Sequence, residues 1–175
     1  MNYRVRALGT ADAHDYHRVR LAALRLHPEA FGSAYEDEAV LEHAQVVERL
    51  STPGLIRFGG FADGTLVGLC GLALQSGAKQ RHKAGLFSMY VEAAHRRSGL
   101  AHRLVGAVIT GARDAGARVM HLSVTIGNTP AQRLYRRMGF VVYGVERRSL
   151  LVDNVFYDEE LMALDLDGDG RASAT

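Results

Sequence analysis

Between Leu86 and Thr125 the chain changes its hydrophobic period twice, and this constrains the fold more than any other feature. LFSMYVE (86–92) reads as a strand. GLAHRLVGAVITGARDAGA then places Leu100, Leu104, Val108 and Ala112 on one helical face and stops at Gly116. ARVMHLSV follows as another strand. A strand, a helix and a strand in that order normally make a right-handed crossover between two parallel strands.

The flanking segments extend this pattern. NYRVRAL alternates Tyr3, Val5 and Ala7 against polar neighbours, the period of a strand. From Thr10 to His27, Tyr16, Val19, Ala23 and Leu26 recur at helical spacing, with Thr10 the expected cap and Pro28 the expected stop. EDEAVLEHAQVVERL predicts a second helix over 36–50, its acidic start complementing a helix N-terminus. LIRFGGFA and TLVGLCGLAL are separated by Asp63-Gly64, a strong hairpin signal, and the basic QSGAKQRHK after them is expected to be a solvated loop. Thr129-Pro130 predicts a cap followed by proline in the first turn of a short helix ending at Gly139. FVVYGV and VFYDEELMALDL predict a final strand pair turning at Asp153-Asn154. The expected fold is mixed α/β in a single domain over 1–166.

Composition removes several function classes. With 21 basic and 19 acidic residues the charge is near balance, which argues against a dedicated nucleic-acid binder. Lys79, Arg81, His82 and Lys83 give only a local basic patch, so no nucleic-acid partner is expected. The single cysteine, Cys70, allows no intramolecular disulfide and fits a reducing compartment; its apolar setting predicts a buried, inert thiol. No run approaches the roughly 18 apolar residues of a membrane span, and MNYRVRALG lacks an apolar signal core. A cytoplasmic protein without a membrane partner is expected. DLDGDG (165–170) begins like a calcium loop but lacks the glutamate due at the twelfth position. No metal is expected, and 167–175 is expected to be a disordered tail.

HRRSGLAHRL (95–104) sets three cations and a Ser-Gly pair immediately before the helix at 100. The amides opening a helix point outward with partial positive charge, so Ser98, Gly99 and Leu100 are placed to donate to a phosphate beside Arg96 and Arg97. A solvated basic loop that merely caps the helix fits these residues equally well. Two motifs go further. Arg96-Arg97-Ser98-Gly99-Leu100-Ala101 resembles the [Q/R]-x-x-G-x-[G/A] signature of the GNAT superfamily of N-acetyltransferases. Asn128-Thr129-Pro130-Ala131-Gln132-Arg133-Leu134-Tyr135-Arg136-Arg137-Met138-Gly139-Phe140 resembles that family's N-x-x-A-x-x-L-Y-x-x-x-G-F at every marked position. The similarity extends over the element order from Tyr3 to about Leu166, and HPEAFGSAYEDE looks like the substrate-side helix pair of a bacterial branch.

The resemblance implies a central, mixed, mostly antiparallel twisted sheet of about seven strands flanked by about four helices. It implies acetyl-CoA as acetyl donor and no metal. The pyrophosphate would lie on the amides of 97–101, and the pantetheine arm would pair with the strand edge around Met89, Tyr90 and Val91, as an added strand would. Asn128 and Ala131 would sit beside the arm, although Asn128 also reads as a turn or capping residue. Tyr135 would be the general acid at the sulfur; its alternative is packing beside Leu134 and Met138.

The general base is open. Some relatives carry a glutamate five positions before the motif asparagine, where this chain has Ser123. His121, on the same strand face as Ser123 and Thr125, is one candidate. Glu36, Glu38 and Glu92 are others, directly or through water, and a weakly basic amine would need none. The leading expectation is acetyl transfer to a small-molecule primary amine by direct attack on the thioester. Acetylation of a protein N-terminus or lysine is the alternative among enzymes, and a non-catalytic acyl-CoA sensor is the alternative outside them. YEDE (35–38) favours a cationic amine if it lines the acceptor cleft. Monomer and homodimer both stay open.

Overall fold

The parallel crossover is present. In the computed structural model, which describes residues 1–168, β4 (Lys83–Val91) and β5 (Val119–Thr125) run parallel, joined by α4 (Leu100–Asp114). Before them come β1 (Tyr3–Ala7), α1 (Ala13–Leu26), α2 (Tyr35–Ala39), α3 (His43–Leu50), β2 (Leu55–Ala62) and β3 (Thr65–Leu74). After them come α5 (Thr129–Arg137), β6 (Val141–Val152) and β7 (Val155–Asp165). One sheet of seven strands has the order β1-β2-β3-β4-β5-β7-β6, and every pair except β4–β5 is antiparallel.

Helices cover both faces. The stripe read from the sequence, Leu100, Leu104, Val108 and Ala112 of α4, is joined by Val105 at no more than 1% exposure, against Met120, Leu122 and Val124 of β5 and the ring of Phe140. Burying each such aliphatic chain contributes about 1.5–3 kcal/mol. On the other face, Tyr16, Val19 and Ala23 of α1 and Val46 of α3 close over Leu66, Leu69 and Tyr90.

Several boundaries differ from expectation. The helix expected over 36–50 is two helices, because the Glu42 amide donates to the Gln45 side chain at 2.8 Å and a new helix starts there. The described residues therefore hold five α-helices rather than about four. Thr10 does not cap α1: a 3-10 turn over Thr10–Asp12 precedes it, with the Asp12 carboxylate accepting from the Gly9 amide. Asn128, not Thr129, caps α5. β4 begins at Lys83, three residues before the expected start at 86, so the basic link is shorter than expected. The expected tail lies outside the described residues from 169 onward; Asp167 pairs with Arg118.

Two irregularities shape the site. β4 and β5 pair only at Lys83↔Val119, Ala84↔Met120 and Gly85↔His121, and then part. Against β3, Gly71 pairs with Phe87 and Leu69 with Tyr90, so Cys70 alone faces both Ser88 and Met89. This is a bulge, and Ser88 sits in it at φ 55°, a conformation costing of order 1–3 kcal/mol for a residue with a side chain. Arg20 of α1 holds it there, donating from Nη1 to Ser88 Oγ at 3.1 Å.

Candidate active site

Where β4 and β5 part, a cavity of about 60 Å³ opens between Leu86–Met89 on one strand and Ser123–Thr125 on the other. Asn128, Ala131 and Tyr135 of the α5 segment close it, so Met89, Asn128, Ala131 and Tyr135, expected together from the sequence, do meet here. Tyr135 is 5% exposed and packs edge-on against Phe140 at 5.8 Å. Its hydroxyl has no protein partner, yet among the described residues no buried side-chain oxygen lacks one, so this hydroxyl opens on the cavity. Burial, with Cys70 adding to it, pushes the phenol far above the usual tyrosine range and keeps it a proton donor. Asn128 Oδ1 accepts from the Ala131 amide at 3.4 Å, so one residue both caps α5 and lines the cavity.

From Leu86 onward the side of β4 facing β5 has no strand partner, which leaves a pairing edge inside the sheet around Met89 and Val91. The Tyr90 side chain turns away into the α1 core, and burial raises its phenol as well. Beyond β4, the loop before α4 presents free donors. Among the described residues the amides of Arg97, Ser98, Gly99, Ala101 and His102 reach no protein acceptor, whereas that of Leu100 donates to Ser98 Oγ at 3.3 Å. Gly99 has φ 82° and open space where a Cβ would stand, so backbone conformation rather than crowding requires glycine. The two arginines separate. Arg97 is exposed, whereas Arg96 donates to the Val91 carbonyl at 3.0 Å and its Nη2 meets His27 Nε2 at 3.0 Å, tying the loop to β4 and to the end of α1.

The base candidates are dispersed. Glu38 is 4% exposed and sits 2.9 Å from Arg20 Nη2 and 3.6 Å from Arg49 Nη1. Burial pushes its carboxyl up, but Arg20 and Arg49 outweigh this and hold it below the usual range, which makes it a poor proton acceptor. Glu92 pairs with Arg18 at 3.1 Å. Glu36 lies on a larger cleft of about 860 Å³ between the α1–α2 segment and the β6–β7 turn. His121 packs edge-on to Tyr143 and lines neither opening; burial first, then Lys83 and His82, lower its imidazole.

Three residues escaped the sequence reading. Ser88 carries no sequence signal for its left-handed backbone. Arg20 falls on the apolar stripe of α1 between Val19 and Ala23, an anomaly that marks a buried ion pair. Glu159 of β7 receives Ser123 Oγ–H at 3.1 Å and Ser149 Oγ–H at 2.6 Å, a meeting that depends on strand register. Among the described residues no cluster of side chains suits a metal ion, and no helix is long and apolar enough to cross a membrane.

Residues 14–140 match the model of the acetyltransferase (GNAT) family. The chain belongs to the GNAT acetyltransferases. It is 24% identical to the L-amino acid N-acetyltransferase AaaT of Escherichia coli over 155 residues, 87% of this chain and 93% of that protein. Its fold is that of yncA, a putative acetyltransferase from Salmonella typhimurium solved with its cofactor acetyl-CoA, at TM-score 0.81 and 22% identity over the whole of both chains. It is also that of a GNAT-family acetyltransferase from Streptococcus pneumoniae, at TM-score 0.78 and 23% identity over 94% of this chain and 99% of the other. The GNAT assignment covers both motifs, since the matched span runs through Arg96–Ala101 and ends at Phe140.

Proposed function

We propose that this enzyme transfers an acetyl group from acetyl-CoA to the primary amine of a small molecule by direct attack on the thioester. The observation that carries the reading is the cavity between the parted strands, which Tyr135 lines together with the unpaired edge of β4. The protein's groups fit the donor. The unpaired edge around Met89–Val91 suits an extended amide-bearing arm. The free amides of Arg97, Ser98, Gly99, Ala101 and His102, with the Arg97 side chain beside them, suit a pyrophosphate at a helix start. In this reading Arg96 and Ser98 shape the loop, Arg96 through Val91 and His27, and Ser98 Oγ through the His95 carbonyl at 2.7 Å. Tyr135 gives its proton to the departing sulfur.

A small acceptor is favoured by the larger cleft, whose volume of about 860 Å³ lies within the usual range for small-molecule sites. Arg25, Glu36 and Asp153 on its walls provide both signs of charge, as an amine carrying its own carboxylate would require. The curated relative's acceptors, L-amino acids, are such amines. Thiol release from acetyl-CoA, measured across L-amino acids, simple alkylamines and short peptides, tests this. Turnover is expected with amino acids or alkylamines and not with peptides; tight acetyl-CoA binding without turnover on any amine would make the protein a sensor instead.

A further inference from the structure

Resting on that reading, we propose that Glu159 receives the amine proton through Ser123, so that a hydroxyl on β5 and a carboxylate on β7 act together as the base. Ser123 lines the cavity that Tyr135 also lines. Its Oγ donates at 3.1 Å to one oxygen of Glu159. Ser149, whose Oγ donates at 2.6 Å to the other oxygen, lines the larger cleft. The carboxylate therefore stands between the cavity assigned to the thioester and the cleft assigned to the amine.

What surrounds Glu159, among the described residues, includes no cation paired with it. Its neighbours along β7 are neutralised by arginines: Glu160 by Arg136 at 2.7 Å and Asp158 by Arg147 at 2.6 Å. Glu38 is held between Arg20 and Arg49. Among the described residues no Lys, Arg or His makes an ion pair with Glu159, and its register partner on β6 is another acid, Glu146. Across on β5 its register partner is Thr125, whose hydroxyl is turned to the Glu29 carbonyl. His121 lies further along β5, beyond Ser123, against Tyr143. A carboxylate fixed by two hydroxyls and no cation is oriented without being neutralised.

The step balances. As a neutral amine attacks, its nitrogen lone pair forms the C–N bond and the carbonyl π pair moves to oxygen. The nitrogen gives one proton to Ser123 Oγ while Ser123 passes its own to Glu159. When the oxygen pair returns, the C–S bond breaks and the sulfur leaves with the bonding pair, taking the Tyr135 proton. One proton then returns from Glu159 to Tyr135 through solvent, so amine and thioester have become amide and thiol. An amine arriving as ammonium first loses its extra proton to solvent along the same route.

Glu159→Gln keeps the shape, with one end still accepting and the other now donating, but cannot take the proton; Ser123→Ala cuts the relay. Each is made in the full chain and assayed with acetyl-CoA, one alkylamine and one weakly basic aromatic amine. With the alkylamine, kcat is expected to fall about 10²- to 10³-fold in either variant, the double variant being no worse than the single ones. The affinity for acetyl-CoA and the melting temperature should stay at parental values, and the aromatic amine should lose far less. If Glu159→Gln fails to fold, Ser123→Ala carries the same comparison. Retention of more than half the parental kcat by both variants, with chemistry limiting, overturns the relay while leaving acetyl transfer intact. A parental protein that binds acetyl-CoA but acetylates no amine overturns the acetyltransferase reading, and the relay with it.

Discussion

Burial acts on Tyr135 and Glu38 with opposite outcomes, because one has ionic partners and the other does not. Taken from water without a cation, the Tyr135 phenol holds its proton more tightly than an exposed tyrosine. That keeps the phenol protonated until a thiolate forms beside it, while making it a weaker acid than an exposed tyrosine. Tyr135→Phe removes one oxygen and keeps the ring against Phe140, so packing and acetyl-CoA affinity should be nearly unchanged. As a proton donor Tyr135 predicts a kcat lower by roughly 10²-fold, with kcat/KM falling in step. The deficit should shrink for an acyl donor with a more acidic thiol. Steady-state rates with two acyl thioesters check both points; a variant with more than half the parental kcat would leave Tyr135 a packing residue. Cys70, buried at 1% exposure with its thiol pushed up by burial, has no comparable role.

Among elements, α1, α2 and β4 are joined at one point by Arg20. Its guanidinium pairs with Glu38 of α2, reaches Ser88 in the β4 bulge and lies over the Phe31 ring at 5.2 Å. Removing one partner of such a buried pair strands the other charge, at a cost of about 3–5 kcal/mol. For a domain of this size Glu38→Gln should therefore melt lower by roughly 5–15 °C near pH 7. The pH dependence has a definite sign. The folded-state carboxyl lies below its ordinary range, so its contribution is complete above that range and is lost as pH falls through the folded value. The gap between parent and variant should consequently narrow below about pH 4. Urea unfolding at pH 7 and at pH 3 checks this, and a gap that does not change with pH would mean the pair is not held by charge. Loss of the tie should also let Ser88 relax, raising the KM for acetyl-CoA.

For the whole molecule, the proposed donor site is made by elements distant in sequence, the β4 edge, the start of α4 and α5, so its occupation should report on global stability. Acetyl-CoA at 100 times its dissociation constant stabilises the folded state by about 2.7 kcal/mol, equivalent to a melting rise on the order of 5–10 °C. Adenosine, which lacks both pyrophosphate and arm, should give no comparable rise. No shift with millimolar acetyl-CoA would count against the donor assignment. The sequence by itself determined the parallel crossover, the Asp63-Gly64 hairpin and the glycine opening α4, and its family resemblance implied the grouping of Asn128, Ala131 and Tyr135. Each of these depends on residues near in the chain, through hydrophobic period, turn chemistry or helix spacing. Only the tertiary structure decided how far β4 and β5 pair before parting, which residue stands in the β4 bulge, and which acid faces Ser123. Those depend on strand register and long-range packing: Glu159 meets Ser123 across a gap of 36 residues, and Arg20 meets Ser88 across 68. A strand's alternation tells which residues share a face but not which residue of another strand lies opposite, and that is why the carboxylate beside the cavity could not be read from the chain alone.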